Sequence, residues 1–211
     1  MKNDLYSRLA EAAEYGELLN PADLSQGLNS SDPYVVWMAV KAAGVHRAEQ
    51  ATDELFQLGP RSAWPPDADI PSIAVWSLTQ IGGEEVLRVA RDLTSSEQEG
   101  DRRFAADLLG ELRDSGNIRY LERLLADPSK EVALWAALSL SKFGSDGLLP
   151  LQRVASRTPS PERTIIIADA LCKIGTPFAM ELAKRLLEEN KHIPQERVVS
   201  LFEVLRTRAA G

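Results

Sequence analysis

Residues 127–155 read DPSKEVALWAALSLSKFGSDGLLPLQRVA, and this stretch decides the fold. Asp127 is a good N-cap, and Pro128 suits the first helical position, where no backbone N–H is needed. Val132, Ala136, Leu140 and Phe143 follow at i, i+4, i+8 and i+11, which is one face of a helix. Gly144 ends that helix, because glycine takes a positive φ at little cost. A second helix then carries Leu148, Leu151 and Ala155 inward. Two short helices with apolar faces make a pair that needs neighbours to cover it.

The neighbours are in the sequence. Asp69 precedes Ile70, Ala74, Leu78, Ile81 and Gly82 at the same offsets, with Val86, Val89 and Leu93 on the following helix. Ser160 and Pro161 open a copy with Ile167, Leu171, Ile174 and Gly175, followed by Ala179, Leu182 and Leu186. Asp101 to Leu125 is less regular, with Ala105, Leu109 and Leu112 on one helix and Ile118, Leu121 and Leu125 on the next. Asp32 to Leu58 is the most degenerate, capped by Asp32 and Pro33 with Val35, Ala39 and Ala43 inward. Val89, Leu121, Leu151 and Leu182 form one column, spaced by 32, 30 and 31 residues. A helix pair at that period is the mark of a repeat array.

The predicted organisation is one all-α domain over 1–211. It has an N-terminal cap at 1–31, repeats at 32–58, 69–95, 100–126, 127–156 and 160–188, and a C-terminal capping helix at 194–211. Within the caps, Asp4 to Leu19 and Pro21 to Leu28 read as helices with Asp4 and Asn20 as N-caps. Pro194 to Arg208 reads as a last amphipathic helix. One loop, Gly59 to Ala68, breaks the rhythm with adjacent prolines, and such insertions are often where binding resides.

Composition narrows the class. Hydrophobic residues make up 44% of the chain and aromatics 6%, which suits helices over sheets. The net charge is −7 and the pI about 5.0, which argues against bulk attraction to nucleic acid or anionic membrane. Cys172 is the lone cysteine, so an intrachain disulfide is excluded and a reducing compartment is the simpler reading. No stretch has the length of a membrane span, and Met1 to Leu9 carries no apolar leader core. The expectation is a soluble cytoplasmic protein.

The pattern D-P-x-x-x-V-x-x-x-A-x-x-x-L-x-x-F-G, seen best in Asp127 to Ala155, resembles the short bacterial HEAT repeats named after phycobilisome lyases. The Arg usual after the first Val is absent, with Ala133 in its place. The resemblance implies a right-handed α-α superhelix, a HEAT-like solenoid of about five helix pairs with terminal caps. It is nearly silent on function, since such repeats occur in scaffolds, lyases, DNA glycosylases and immunity proteins.

Few residues invite chemistry. His46 and His192 stand in the first and last parts of the array, too far apart to share a metal, and no Cys/His spacing fits one. No metal and no cofactor is expected. Cys172 reads as a small buried hydrophobe. Trp37, Trp76 and Trp135, on first helices, read as core.

One pattern stands out. Arg91, Arg123, Arg153 and Lys184 each fall two residues after the column apolar, flanked by Arg88, Arg119 and Arg185. In a HEAT solenoid the second helices line the concave face, so these cations can form a basic stripe for an acidic protein or a phosphate backbone. They equally suit helix C-terminal turns, with Asp92, Glu122 and Glu181 as partners. Trp64 in the insertion is either an exposed anchor for a partner or a cover for the array edge.

The expected function is a non-catalytic protein-binding module, in its sharper version a bacterial immunity protein that neutralises a cognate toxin. The alternatives are a HEAT-like DNA glycosylase, for which Trp37 or Trp76 with Asp69 would form the cleft, and a bilin lyase or chaperone.

Overall fold

The computed structural model describes residues 4–60, 64–65, 67–157, 160–190 and 193. Every regular element among them is helical. They form two compact units, Met1–Leu93 and Thr94–Gly211.

The first unit holds α1 (Asp4–Tyr15), α2 (Pro21–Leu28), α3 (Pro33–Val45), α4 (Thr52–Leu58), α5 (Ile70–Ile81) and α6 (Gly83–Leu93). The anticipated cap signals are present. Asn20 accepts from the Ala22 amide, Asp32 from Tyr34 and Asp69 from Ser72, and a proline follows each in the first turn. Gly82 and Gly83, with φ of 65° and 87°, turn α5 into α6. α1 is shorter than the sequence reading of Asp4 to Leu19. Gly16 takes φ 71° directly after Tyr15 and ends the helix, leaving Leu18 fully in solvent. First helices stack on first helices: α1 on α3, and α3 on α5. On α6 the buried residues are Val86 and Ala90, with Val89 half-buried.

The second unit repeats the plan with α7 (Glu99–Glu111), α8 (Ile118–Leu124), α9 (Lys130–Ser141), α10 (Ser145–Ala155), α11 (Pro161–Ile174) and α12 (Pro177–Glu189). α7 packs on α9 and α9 on α11, while α8, α10 and α12 form the second row. Val132, Ala136, Leu140, Leu109, Leu121, Leu151, Ile167 and Leu171 are all fully buried. Ser160 and Gly175 cap α11 as the sequence indicates.

Asp127 does not cap α9. Ser129 does, accepting from the Val132 amide. The Asp127 carboxylate is occupied by Arg102, which donates from Nε at 2.8 Å and Nη2 at 3.1 Å, and by the Ser129 amide at 2.9 Å. A guanidinium twenty-five residues away competes for this carboxylate, and local pattern does not show it. The predicted helix at 194–208 and His192 lie outside the described residues.

The first helices approach closely, and that displaces the tryptophans. A Cβ built on Gly44 of α3 would lie 2.8 Å from the Ser77 Cα of α5. One on Gly110 of α7 would lie 3.0 Å from the Ser139 Cα of α9. Helices this close leave no room for an indole between them. Trp76 therefore lies over Gly44 with 39% of its surface exposed, and Trp37 and Trp135 are half-buried, not core residues.

The two serines at these crossings differ. Ser77 Oγ donates to the Val40 carbonyl at 2.7 Å. Ser139 Oγ is buried with no hydrogen-bond partner among the described residues. Losing a satisfied hydroxyl costs about 1 kcal/mol, whereas removing an unsatisfied one relieves a cost of about 1–3 kcal/mol. Ser77→Ala is therefore expected to lower stability, and Ser139→Ala to raise it by roughly 1 kcal/mol. Urea denaturation reads both, and equal shifts of the same sign would contradict the difference in packing.

Candidate functional site

The second-row helices α8 and α10 place their charged residues through the repeat register. Leu121 and Leu151 point inward, so residues two positions on emerge toward solvent. Arg153 is exposed on α10 and donates from Nε to Glu122 Oε1 of α8 at 2.8 Å, with a second bond to Oε2. That hydrogen bond pushes the Arg153 pKa upward. Arg123 donates from Nη2 to Thr94 Oγ1 at 2.8 Å and Ser95 Oγ at 3.1 Å. Arg119 and Arg123 both stand over the Tyr120 ring, at 4.8 Å and 5.7 Å from its centroid. Lys184 of α12 is 4.0 Å from Glu188, one turn on.

In the first unit, Arg88 bonds Glu85 and Asp92 of its own helix. The hydrogen bond from Arg88 draws the Glu85 carboxyl below its ordinary range. Arg91 is half-buried on the same helix. Three of the column's cations, Arg123, Arg153 and Lys184, thus occur on successive second helices of one unit, and Arg88 and Arg91 belong to the other. Asp92 and Glu122 are partners as anticipated, while Glu188 takes the place of Glu181.

Trp64 borders a cavity in the first unit. The cavity has a volume of about 130 Å³ and is lined by Leu28, Asn29, Ser30, Glu54, Gln57, Leu58 and Trp64. The indole Nε1 donates to the Leu58 carbonyl at 3.1 Å, which fixes the ring. Nearby in the chain, the Tyr34 hydroxyl donates to Asp67 at 2.5 Å. That bond, with the charges of Asp67 and Asp32, raises the Tyr34 pKa. The Pro-rich loop was legible as a break in the repeat. The residues from 28 to 30 and from α4 that meet it carry no sequence signature.

The residues considered for catalysis have structural partners. Asp69 caps α5. Trp37 lies under Lys41 Nζ, 5.4 Å from its ring centroid. His46 caps α3, its Nε2 3.0 Å from the Ala12 carbonyl oxygen. Cys172 is buried in α11. Among the described residues, no group of three or more His, Cys, Asp or Glu could hold a metal ion. No helix among them is long and apolar enough to cross a membrane.

Residues 64–141 and 91–172 match the sequence profile of HEAT repeats. These overlapping stretches span more than half of the chain, and the chain belongs to the HEAT-repeat family. It is a helical scaffold of the protein-binding type. No curated protein matches it in sequence. Among solved structures it is similar to an engineered protein, at 18% identity and a TM-score of 0.45 over 90% of this chain and 98% of that one. A second engineered protein is similar at 18% identity and TM-score 0.45, over 89% of this chain and 57% of that one. The complex of CpcE and CpcF of phycocyanin lyase from Nostoc sp. PCC7120 is similar at 17% identity and TM-score 0.37, over 93% of this chain and 97% of that chain. Likenesses at this level say nothing about function.

Proposed function

We propose that this chain is a non-catalytic protein-binding module, and that its sharper role is to neutralise a basic toxin as an immunity protein. The carrying observation is that the second-helix cations are already engaged. Arg153 is bonded to Glu122 through Nε and Nη2, Arg88 lies between Glu85 and Asp92, and Arg123 is bonded to two hydroxyls. A phosphate backbone would have to displace these bonds before it gained anything from the stripe. Protein surfaces of mixed charge pair with such a face without that cost.

The distribution of charge supports the same reading. Residues 1–93 contain seven Lys and Arg against fourteen Asp and Glu, a formal −7. Residues 94–211 contain seventeen of each, a formal zero. The whole acidic excess belongs to the first unit, and an acidic surface speeds encounter with a basic partner. Toxins that attack nucleic acid are basic for their own reasons.

Two experiments separate the readings. Titration of a fluorescent DNA duplex at physiological salt is expected to give no retardation below about 100 µM protein, the weak end of non-specific binding. Micromolar retardation that weakens steeply with salt would favour the glycosylase-like alternative. Co-expression with the product of the adjacent gene is expected to yield a complex and protection of the host. A chain that elutes alone and gives no protection would sink the immunity role.

A further inference from the structure

The cavity beside Trp64 has a chemistry of its own. At about 130 Å³ it is too small for a nucleotide or a tetrapyrrole, since pockets for ligands of drug size run to about 300–1,000 Å³. It has room for the end of one side chain. Its one charged group, the Glu54 carboxylate, is an acceptor. The Trp64 indole N–H is already used on the Leu58 carbonyl, and the Asn29 amide donates to the Ser25 carbonyl at 2.9 Å. The acceptors in the lining are the Glu54 carboxylate, the Asn29 and Gln57 amide oxygens and the Ser30 hydroxyl, with the Trp64 ring beside them, and the Gln57 amide and Ser30 hydroxyl can also donate. Glu54 makes no ion pair among the described residues, and it is the charged group of the lining. Leu58 is buried and supplies an apolar wall.

An aromatic face beside a carboxylate and an amide oxygen is complementary to a planar cation rich in donors. A guanidinium stacks on indole and bonds a carboxylate through two nitrogens at once, which an ammonium cannot do. The unit that holds the cavity also carries the chain's entire negative excess.

We propose that this cavity is an arginine receptor. It takes one arginine side chain from a basic protein partner, with the guanidinium against Trp64 and bonded to Glu54. The proposal rests on the protein-binding reading and names the contact that such a partner makes.

The test uses the full chain labelled with ¹⁵N, and acetyl-Gly-Arg-Gly-amide as probe. The Trp64 indole resonance is assigned by its loss in Trp64→Phe. The arginine peptide is expected to move that resonance saturably, the matching lysine peptide more weakly, and the glutamate peptide not at all. Glu54→Gln is expected to weaken the arginine peptide by up to about fivefold, the scale of one exposed ion pair, since the contact with Trp64 remains. Glu54 is exposed on α4, so the variant keeps the fold, and an unchanged melting temperature verifies that. No saturable shift, equal shifts from all three peptides, or unchanged affinity in Glu54→Gln overturns the receptor. A complex with a protein partner that survives Glu54→Gln and Trp64→Phe undiminished also overturns it, while leaving the module reading intact. Peptide binding at Trp64 without any protein partner supports the receptor and removes the module reading.

Discussion

Asp127→Ala is expected to destabilise the chain by about 3 kcal/mol, a loss of the size measured when one partner of a buried ion pair is removed. Asp127 joins three segments of the second unit. Its carboxylate takes two bonds from Arg102 of α7 and one from the Ser129 amide at the start of α9, and its carbonyl accepts from Arg163 of α11. The side chains of Arg102 and Asp127 are only 15% and 6% exposed. Truncation strands a guanidinium that is largely out of water. Arg102 keeps the Ser96 and Glu97 carbonyls, each at 3.0 Å, which places the cost at the lower end of the range. Asp127→Asn keeps an acceptor for Ser129 while removing the charge, and is expected to cost about half as much. Trp135 is the one tryptophan in residues 94–211, so denaturation followed by its emission in a variant with the other three replaced by Phe reports on this unit. A loss below about 0.5 kcal/mol, the level of an ordinary surface change, would contradict the joint.

Gly147→Ala reverses the usual sign of a helical substitution. Replacing glycine by alanine inside a helix normally gains about 1 kcal/mol. At Gly147, in the first turn of α10, a Cβ would lie 2.0 Å from the Leu140 carbonyl oxygen and 2.8 Å from its carbon. Both are backbone atoms of α9, so no side chain can rotate away. The helix pair must open instead, and the expected loss is about 3 kcal/mol, the upper part of the overpacking range. A shift in the urea midpoint measures it. A variant at least as stable as the parent would mean that α9 and α10 do not turn this tightly.

The helix-pair frame was legible because its signals are local. Asp32 with Pro33, Asp69 and Ser160 with Pro161 each stand within three residues of the amides they cap, and Gly82 and Gly175 take the positive φ that their places after apolar faces suggest. Glu122 was legible as a partner, but which cation it meets was not, because the bond crosses to the adjacent repeat. Arg153 meets Glu122 and Lys142 meets Glu111, both thirty-one residues apart, and Arg123 meets Thr94 at twenty-nine. Those separations are one repeat period. Pairing each surface charge with the residue one period away would have found them, whereas reading each helix alone does not. Asp127 shows the converse, since a strong local cap signal yielded to Arg102. The Trp64 cavity had half a signal. The prolines marked the loop, but nothing local ties Asn29 and Glu54 to it.

Holding a basic protein through the acidic first unit is the role proposed above for this HEAT-repeat chain. Light scattering after size exclusion, on the chain co-expressed with the product of the adjacent gene, tests it most directly. A defined complex is expected, one that weakens as salt rises and is weakened further by Glu54→Gln. A chain that elutes alone under every condition, or that instead retains DNA, would contradict it.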